Sequence, residues 1–352
     1  MPVGNSDRGV GLGAGEIMLF ADLNYQKFDW WHEQIDGAYR PGTNEEENFD
    51  HEGLLKNKSL NLGFTIGLND YWNMTISQLV SDRCMEWEGP VDDDGNSLTV
   101  HHRSECSSSD FYNGDDQIAF GGYFGDTRIN FKYLLYNQGK GPGNRVFIGG
   151  GFIIPSNATI TESPWVKNVE LDHDDNPNTH KILTYSPHRH FYLSDGAYKM
   201  FTEIQFFKKR VKKPVFLGGT FSFSFPLNES DYGFKPSNRY ELSFVALSGP
   251  LKKVKTSMFM LSSIGLNFTM AYAGPSEWNG LRTPNSEAIL YIPGISLLFG
   301  SKAGTFGINV QKGYEDYLQK SPDDIDETNK IYSISLSYRK LLDKYIDKLY
   351  WK

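Results

Sequence analysis

The stretch from Ser59 to Asn69, SLNLGFTIGLN, decides the fold. Leu60, Leu62, Phe64, Ile66 and Leu68 fall on one face of an extended chain. Asn61, Gly63, Thr65, Gly67 and Asn69 fall on the other. A period of two marks a strand with one apolar and one polar face. Here the apolar face is large and the polar face is small and hydrogen-bonding. The pattern recurs in Met258–Tyr272, in Pro214–Phe225 and in Tyr332–Arg339, where Tyr332, Ile334, Leu336 and Tyr338 alternate with Ser333, Ser335, Ser337 and Arg339.

Working outward, about twelve such segments are predicted: Ile17–Asp29, Lys58–Asn69, Tyr71–Ser81, the C-terminal half of Gln117–Tyr136, Arg145–Ile154, Tyr198–Phe207, Pro214–Phe225, Ser237–Leu247, Thr256–Tyr272, Glu287–Phe299, Gly304–Tyr314 and Ile331–Lys340. Pro293 inside Glu287–Phe299 suggests a bulge. The connections alternate strictly. Asn69-Asp70, Asn137–Asn144, Lys208–Lys213, Ser248–Lys255 and Gly300–Ala303 are short. Trp30–Asn57, Asp82–Asp116, Pro155–Ala197, Pro226–Pro236, Ala273–Ser286 and Glu315–Lys330 are long. A closed barrel across a bilayer sorts its connections this way, with short periplasmic turns and long outer loops. The fold class read from the sequence is therefore all-β: a closed antiparallel transmembrane barrel of about twelve strands. It is read as one unit, with residues 1–16 as an N-terminal segment, 17–340 as barrel and 341–352 as a tail.

Charge follows the same division. Lys208, Lys209, Arg210, Lys212 and Lys213 crowd one short turn, and Lys252, Lys253 and Lys255 another. Trp30–Asn57 holds 7 acids against 2 bases, and Asp82–Asp116 holds 10 against 2. Either these loops are solvated, or they form a cation-attracting mouth that binds divalent cations weakly at its surface. Aromatic residues make up 14% of the chain, and Trp30, Trp31, Tyr71, Trp72, Tyr136, Phe206, Tyr272, Phe299 and Tyr314 fall near strand ends, as interfacial girdles require. The mean hydropathy of −0.47 fits a barrel with polar lumen and loops. No stretch approaches the ~20 apolar residues of a membrane helix. A net charge of −8 without a basic groove makes nucleic acid an improbable partner. Met1 to Gly15 has neither the basic n-region nor the apolar h-region of an export signal, so the numbering is read as starting near the mature end or as lacking an upstream start. After Lys340, Leu341, Leu342, Tyr345, Ile346, Leu349 and Tyr350 have helical spacing, which predicts a short amphipathic helix on the inner interface or capping the periplasmic end.

Candidate chemistry is sparse. Cys84 and Cys106 share one long loop and would form a disulfide in an oxidising compartment. The eight histidines (His32, His51, His101, His102, His173, His180, His188, His190) all fall in predicted long loops without the partners of a metal set. Asp92–Asn96 and Asp172–Asn176 miss the glycine and glutamate that a calcium loop needs at its sixth and twelfth positions. No cofactor is expected. His190 and Ser194, followed by Asp195, are the nearest approach to a hydrolase, with no nucleophile-elbow motif. The remaining site is the lumen. With the large residues facing lipid, Asp22, Asn24, Gln26, Arg128, Asn130, Lys132, Glu203, Gln205, Glu241, Asn309, Gln311 and Arg339 face inward. They either pair and fill the barrel or line a narrow path.

Gly125–Leu135 (GDTRINFKYLL) resembles a recurring stretch of the meta-pathway phenol-degradation outer-membrane barrels. The Gly-rich turn Gln138–Asn144, the Gly-rich strand Val146–Pro155 and the later Leu193–Tyr198 extend the likeness. The helical tail and the length of the acidic loops depart from that pattern. The resemblance implies an outer-membrane channel passing small aromatic or apolar solutes, with outer-membrane lipids and lipopolysaccharide as its surroundings. A structural barrel working through its loops, and an outer-membrane lipid hydrolase, are the alternative readings.

Overall fold

The computed structural model describes residues 11–32, 51–87, 117–139, 141–161, 168–170, 182–184, 191–249, 251, 260–283, 286–318 and 329–349. Its strands in chain order are β1 (Glu16–His32), β2 (His51–Gly67), β3 (Trp72–Trp87), β4 (Phe124–Asn137), β5 (Gly143–Ile154), β6 (Asn168–Glu170), β7 (Ile182–Thr184), β8 (Lys199–Lys209), β9 (Phe216–Pro226), β10 (Phe234–Lys235), β11 (Arg239–Leu247), β12 (Met260–Ala273), β13 (Glu277–Trp278), β14 (Leu281–Arg282), β15 (Ala288–Ser301), β16 (Gly304–Tyr317) and β17 (Asn329–Tyr345). Twelve of them close a barrel in the order β1-β17-β16-β15-β12-β11-β9-β8-β5-β4-β3-β2. The short β6–β7 and β10–β13–β14 sheets belong to the long connections.

The period of two explains why these segments pair. In β8, Phe201, Glu203, Gln205 and Phe207 are buried while Thr202, Ile204 and Phe206 are exposed. In a barrel standing alone only the inner face can be buried. The inside is therefore partly polar, and the exposed outside carries Leu23, Leu62, Ile204, Leu266, Ile295, Val310, Ile334 and Leu336. That is the reverse of a soluble fold and the arrangement a lipid solvent selects, since closure also leaves no strand edge unpaired.

Every barrel connection at one end is short: 68–71, 138–142, 210–215, 248–259 and 302–303. The segments before β1 and after β17 meet there as well. Gly15 N–H donates to Gly67 O at 2.7 Å, and Ile346 N–H to Gly15 O at 2.9 Å. The six connections at the other end have 11 or more residues and reach 44 in 155–198, so that only 248–259 at the short-turn end, with 12, overlaps them in length. Two aromatic belts ring the outside. Near the short turns, Trp72 and Tyr133 lie 5.0 Å apart and Phe306 and Tyr338 4.9 Å apart. Near the long loops, Phe223, Tyr240 and Tyr272 run across β9, β11 and β12 with centroids 4.7 and 6.0 Å apart.

Two expectations are corrected. The C-terminal helix does not form: β17 runs on to Tyr345, and only a 3-10 turn, Asp347–Leu349, follows. The edge of β1 explains this. Leu341 pairs with Met18 and Tyr345 with Glu16, so the ladder satisfies backbone groups that a short, marginal helix would have to satisfy alone. Pro293 makes no bulge: the β15–β16 register is the same on both sides of it, and only Ile292 and Pro293 drop out of the ladder. Proline has no N–H to give. The bulge beside β15 instead falls on β12, between Leu261 and Ser263.

Candidate functional site: the lumen and its two mouths

The inward residues form three groups. At the seam between β1 and β17, Arg339 donates from Nη1 and Nη2 to the two Asp22 carboxylate oxygens at 2.7 and 2.8 Å, and its guanidinium lies 4.9 Å from the Phe20 ring centroid. Ser333 donates to Asn24, and Asn57 to Gln26 Oε1 at 3.0 Å. A second group spans β12, β15 and β16. Asn267 Nδ2 donates to Ser296 Oγ and Asn309 Oδ1, each at 2.9 Å, and Gln311 Nε2 to Asn267 Oδ1 at 3.0 Å. These bonds arise because alternate positions on adjacent strands share a height, and Gly294 leaves room between them. A Cβ there would lie 2.4 Å from Asn267 Oδ1 and 2.6 Å from Gln311 Cγ.

The third group lies on β4, β8 and β9 and is the most deeply buried. Asn130 Nδ2 and Gln205 Nε2 both donate to Glu203 Oε1, at 2.9 and 3.2 Å. Glu203 is 2% exposed, and its other oxygen has no hydrogen-bond partner among the described residues. Asn130 Oδ1, Gln205 Oε1 and Thr220 Oγ1 are also buried without one. Such groups cost about 1–3 kcal/mol each unless water or a solute satisfies them. Nearby, the Arg128 guanidinium sits 3.5 Å from the Phe201 centroid and Lys132 Nζ 5.0 Å from that of Phe147. Glu241 accepts from Ser243, apart from these groups.

The inner wall is two-sided toward the short-turn end. Phe147 and Phe207 meet edge-on at 6.1 Å, Phe207 and Phe216 stack at 5.5 Å, and Val245, Leu247 and Leu298 pack against Phe216. The seam side opposite is built of Asp22, Asn24, Ser333, Ser335 and Ser337 on adjoining strands. Residues before β1 turn in here. Leu12 is buried, its N–H donates to Asn73 Oδ1 at 3.0 Å, and Asn73 Nδ2 donates to Leu12 O at 3.1 Å. Gly67 permits the passage, since a Cβ there would lie 1.9 Å from Gly13 O.

At the other mouth the loops knit together. Gln117, fully buried, accepts from Arg83 N–H and donates to Phe191 O at 2.8 Å, and Arg83 Nη1 donates to Tyr192 O at 2.8 Å. Lys199 bridges Asp195 at 2.8 Å and Asp126 at 3.4 Å. Ile160, Phe234 and Trp278, with Tyr192 against them, make a small core from three connections. Gly121, at φ +87°, sits where two loops touch.

Of the twelve inward candidates, the structure thus brings Asp22 with Arg339, Asn130 with Glu203 and Gln205, and Asn309 with Gln311. Sequence reading missed Asn73, Thr220, Asn267 and Ser296, although each occupies a polar position of an alternating strand. It also missed Gln117, Asp126 and Lys199. Ser194 accepts hydrogen bonds from the Ser156 and Gly196 N–H groups and is 6% exposed, and Asp195 is held by Lys199. His190, the acidic runs Asp92–Asn96 and Asp172–Asn176 and Cys106 lie outside the described residues. Cys84 is buried in β3, and among the described residues no cluster of three metal-ligating side chains occurs.

No protein-family profile matches the chain, and no curated protein matches it. Among solved structures, an outer membrane channel of Pseudomonas putida F1 is similar over 97% of this chain and 100% of that one, with TM-score 0.54 and 11% identity. The CymD monoaromatic hydrocarbon channel covers 94% of this chain with 89% of its own, at TM-score 0.39 and 10% identity. A Pseudomonas aeruginosa FadL homologue covers 92% with 89%, at 0.37 and 9%. At these identities the likeness to the first lies in the fold, and the other two superpose too loosely to add to it. The chain folds as a closed twelve-strand barrel of the outer-membrane type.

Proposed function

We propose that this barrel sits in the outer membrane, long loops outward, and passes small apolar or aromatic solutes passively through its lumen. The observation that carries the reading is the two-sided inner wall. Phe147, Phe207, Phe216 and Leu298 make one side apolar, while Asn130, Glu203, Gln205 and Thr220 hold buried oxygens without a hydrogen-bond partner among the described residues. A wall that only filled the barrel would satisfy its own polar atoms. The fold shared with the P. putida F1 outer membrane channel supports a channel. The buried Ser194, acting as an acceptor in a turn, gives no support to a hydrolase.

The test is uptake into proteoliposomes of a small aromatic solute and of a sugar of similar size. Passage of the aromatic solute is expected to exceed that of the sugar, and Phe207→Asn is expected to narrow the difference. Equal exclusion of both by a correctly folded barrel would favour the alternative, a structural barrel working through its loops. The Cys84–Cys106 bridge belongs to the same proposal, since the outer compartment is oxidising. Two thiols that react with maleimide in the denatured, unreduced protein would refute it.

A further inference from the structure

The rim at the short-turn end is not uniform in charge. Strands β4, β5, β8, β9, β11 and β12 stand side by side, and 138–142, 210–215 and 248–259 are their three turns. No Asp or Glu occurs in 127–161, 204–228 or 242–276, which hold these turns and the strand halves beside them. Within the β8–β9 hairpin, Lys208, Lys209, Arg210, Lys212 and Lys213 fall in six consecutive positions. All are exposed except the half-buried Arg210. None of the five makes an ion pair or a side-chain hydrogen bond among the described residues. Arg145 on the neighbouring hairpin is already engaged, donating to Asn137 Oδ1 at 3.1 Å and to Gly139 O at 2.7 Å. The opposite side of the rim is balanced. There Glu16, Asp70, Asp343 and Asp347 stand against Lys302, Lys340, Lys344 and Lys348.

Two features say what lies against the basic turn. Like charges crowded into one turn repel each other, and no acid of that turn offsets them. An anion from outside the chain relieves the repulsion. The second feature is the position of Lys208. On β8 the outward residues Ile204 and Phe206 are 54% and 44% exposed, and Lys208 takes the next outward position. Phe206 shares a row of Cα partners with Val146 and with Tyr136, an exposed aromatic residue beside the short turns. Lys208 therefore stands on the lipid-facing surface, one step beyond the aromatic residues that mark the membrane interface.

We propose that the β8–β9 turn binds the phosphate headgroup of an anionic phospholipid in the inner leaflet of the outer membrane, with Lys208 at the phosphate and acyl chains along Phe206, Ile204 and Phe221. Phe221 is the outward Cα partner of Ile204 on β9. The occupant follows from charge and position together. Basic residues beside a membrane attract anionic headgroups. Acyl chains cover the face on which Lys208 stands, so a soluble acidic partner would have to displace lipid to reach it. This rests on the long loops facing outward and not on solute passage, so a barrel that passes nothing leaves it standing.

The test uses the full chain in detergent, with lipid binding read by native mass spectrometry. Phosphatidylglycerol is compared with phosphatidylethanolamine, and is expected to bind the parent roughly tenfold more tightly. The variant Lys208→Gln/Lys209→Gln/Arg210→Gln/Lys212→Gln/Lys213→Gln is expected to lose that preference. The variant Lys302→Gln/Lys340→Gln/Lys344→Gln/Lys348→Gln, which removes bases from the balanced side, is expected to keep it. Heat-modifiable gel mobility checks that each variant is folded. Should the first variant fail to fold, the parent and the second variant decide. Equal binding of the two lipids by the parent would overturn the proposal, as would a folded first variant that keeps the preference. Loss of the preference in the second variant would also overturn it, since net charge and not this turn would then govern binding. A polyglutamate peptide that binds the parent while the two lipids bind alike would reject a lipid in favour of a soluble acidic partner.

Discussion

Arg339→Gln tests how the barrel seam is held. Both Asp22 oxygens receive an Arg339 N–H, at 2.7 and 2.8 Å, and the side chains of Arg339 and Asp22 are 12% and 27% exposed. Breaking a fully buried pair costs about 3–5 kcal/mol, because a charge is left without a partner. A fully exposed pair is worth about 0.2–1 kcal/mol. The residual exposure here places the single change between these limits, at about 2 kcal/mol. Asp22→Asn should cost a similar amount, since it strands the guanidinium over Phe20. The double variant removes both charges at once. It should cost less than the sum of the singles by about 1–2 kcal/mol, which is the coupling of the pair. Urea unfolding in lipid vesicles, followed by tryptophan fluorescence, measures all three. If the single costs simply add in the double variant, the pair is not coupled and the seam is held by its ladder alone.

Two further outcomes follow from single contacts. Gly121→Val puts a β-branched residue at φ +87°, with a Cβ 2.5 Å from Ala158 Cα, so the outer cap should loosen by about 2 kcal/mol. Hydrogen exchange at the Leu193 and Ser194 amides, which both donate to Ala158 O, reads this directly, and unchanged protection would count against it. Asn73→Leu removes both hydrogen bonds that hold Leu12, worth about 1 kcal/mol each. A Leu12→Cys reporter in that background should then react with a small maleimide roughly thirtyfold faster than with Asn73 in place. No change in rate would mean the segment is held by packing instead.

Much of this fold is legible in the sequence because barrel strands are decided by local alternation. Ser59–Asn69 shows which side faces lipid, and β2 keeps that phase along its length. Strand ends were less legible. β3 runs to Trp87, beyond the expected Ser81, because partners on β2 continue to supply its hydrogen bonds past the alternating part. The tail from Leu341 was misread for a related reason: helical spacing is a local signal, and an open strand edge is not visible in it. The inner polar residues could be assigned a side but not partners. Nothing in the spacing says that Asn130 and Glu203 meet across β5, because that depends on register and on the small Gly149 between them. The cap at the outer mouth was hidden for the same reason. Gln117, Arg83 and Phe191 come from different connections, and loop segments carry no periodicity to read.

The β1–β17 seam also constrains how the chain reaches its folded state. Every other barrel contact joins strands that are neighbours along the chain, and hairpins such as β2–β3 close over only a few residues. The seam joins residues 317 positions apart. Loop closure over such a distance costs entropy that no local contact repays in advance, which makes it the slow, late event of assembly. Until β17 arrives, β1 and β16 both present bare edges that another chain could extend. A polypeptide stopped short of Asn329 would therefore be expected to associate with others instead of closing, and the final strand acts as the commitment step that turns a growing sheet into a sealed cylinder.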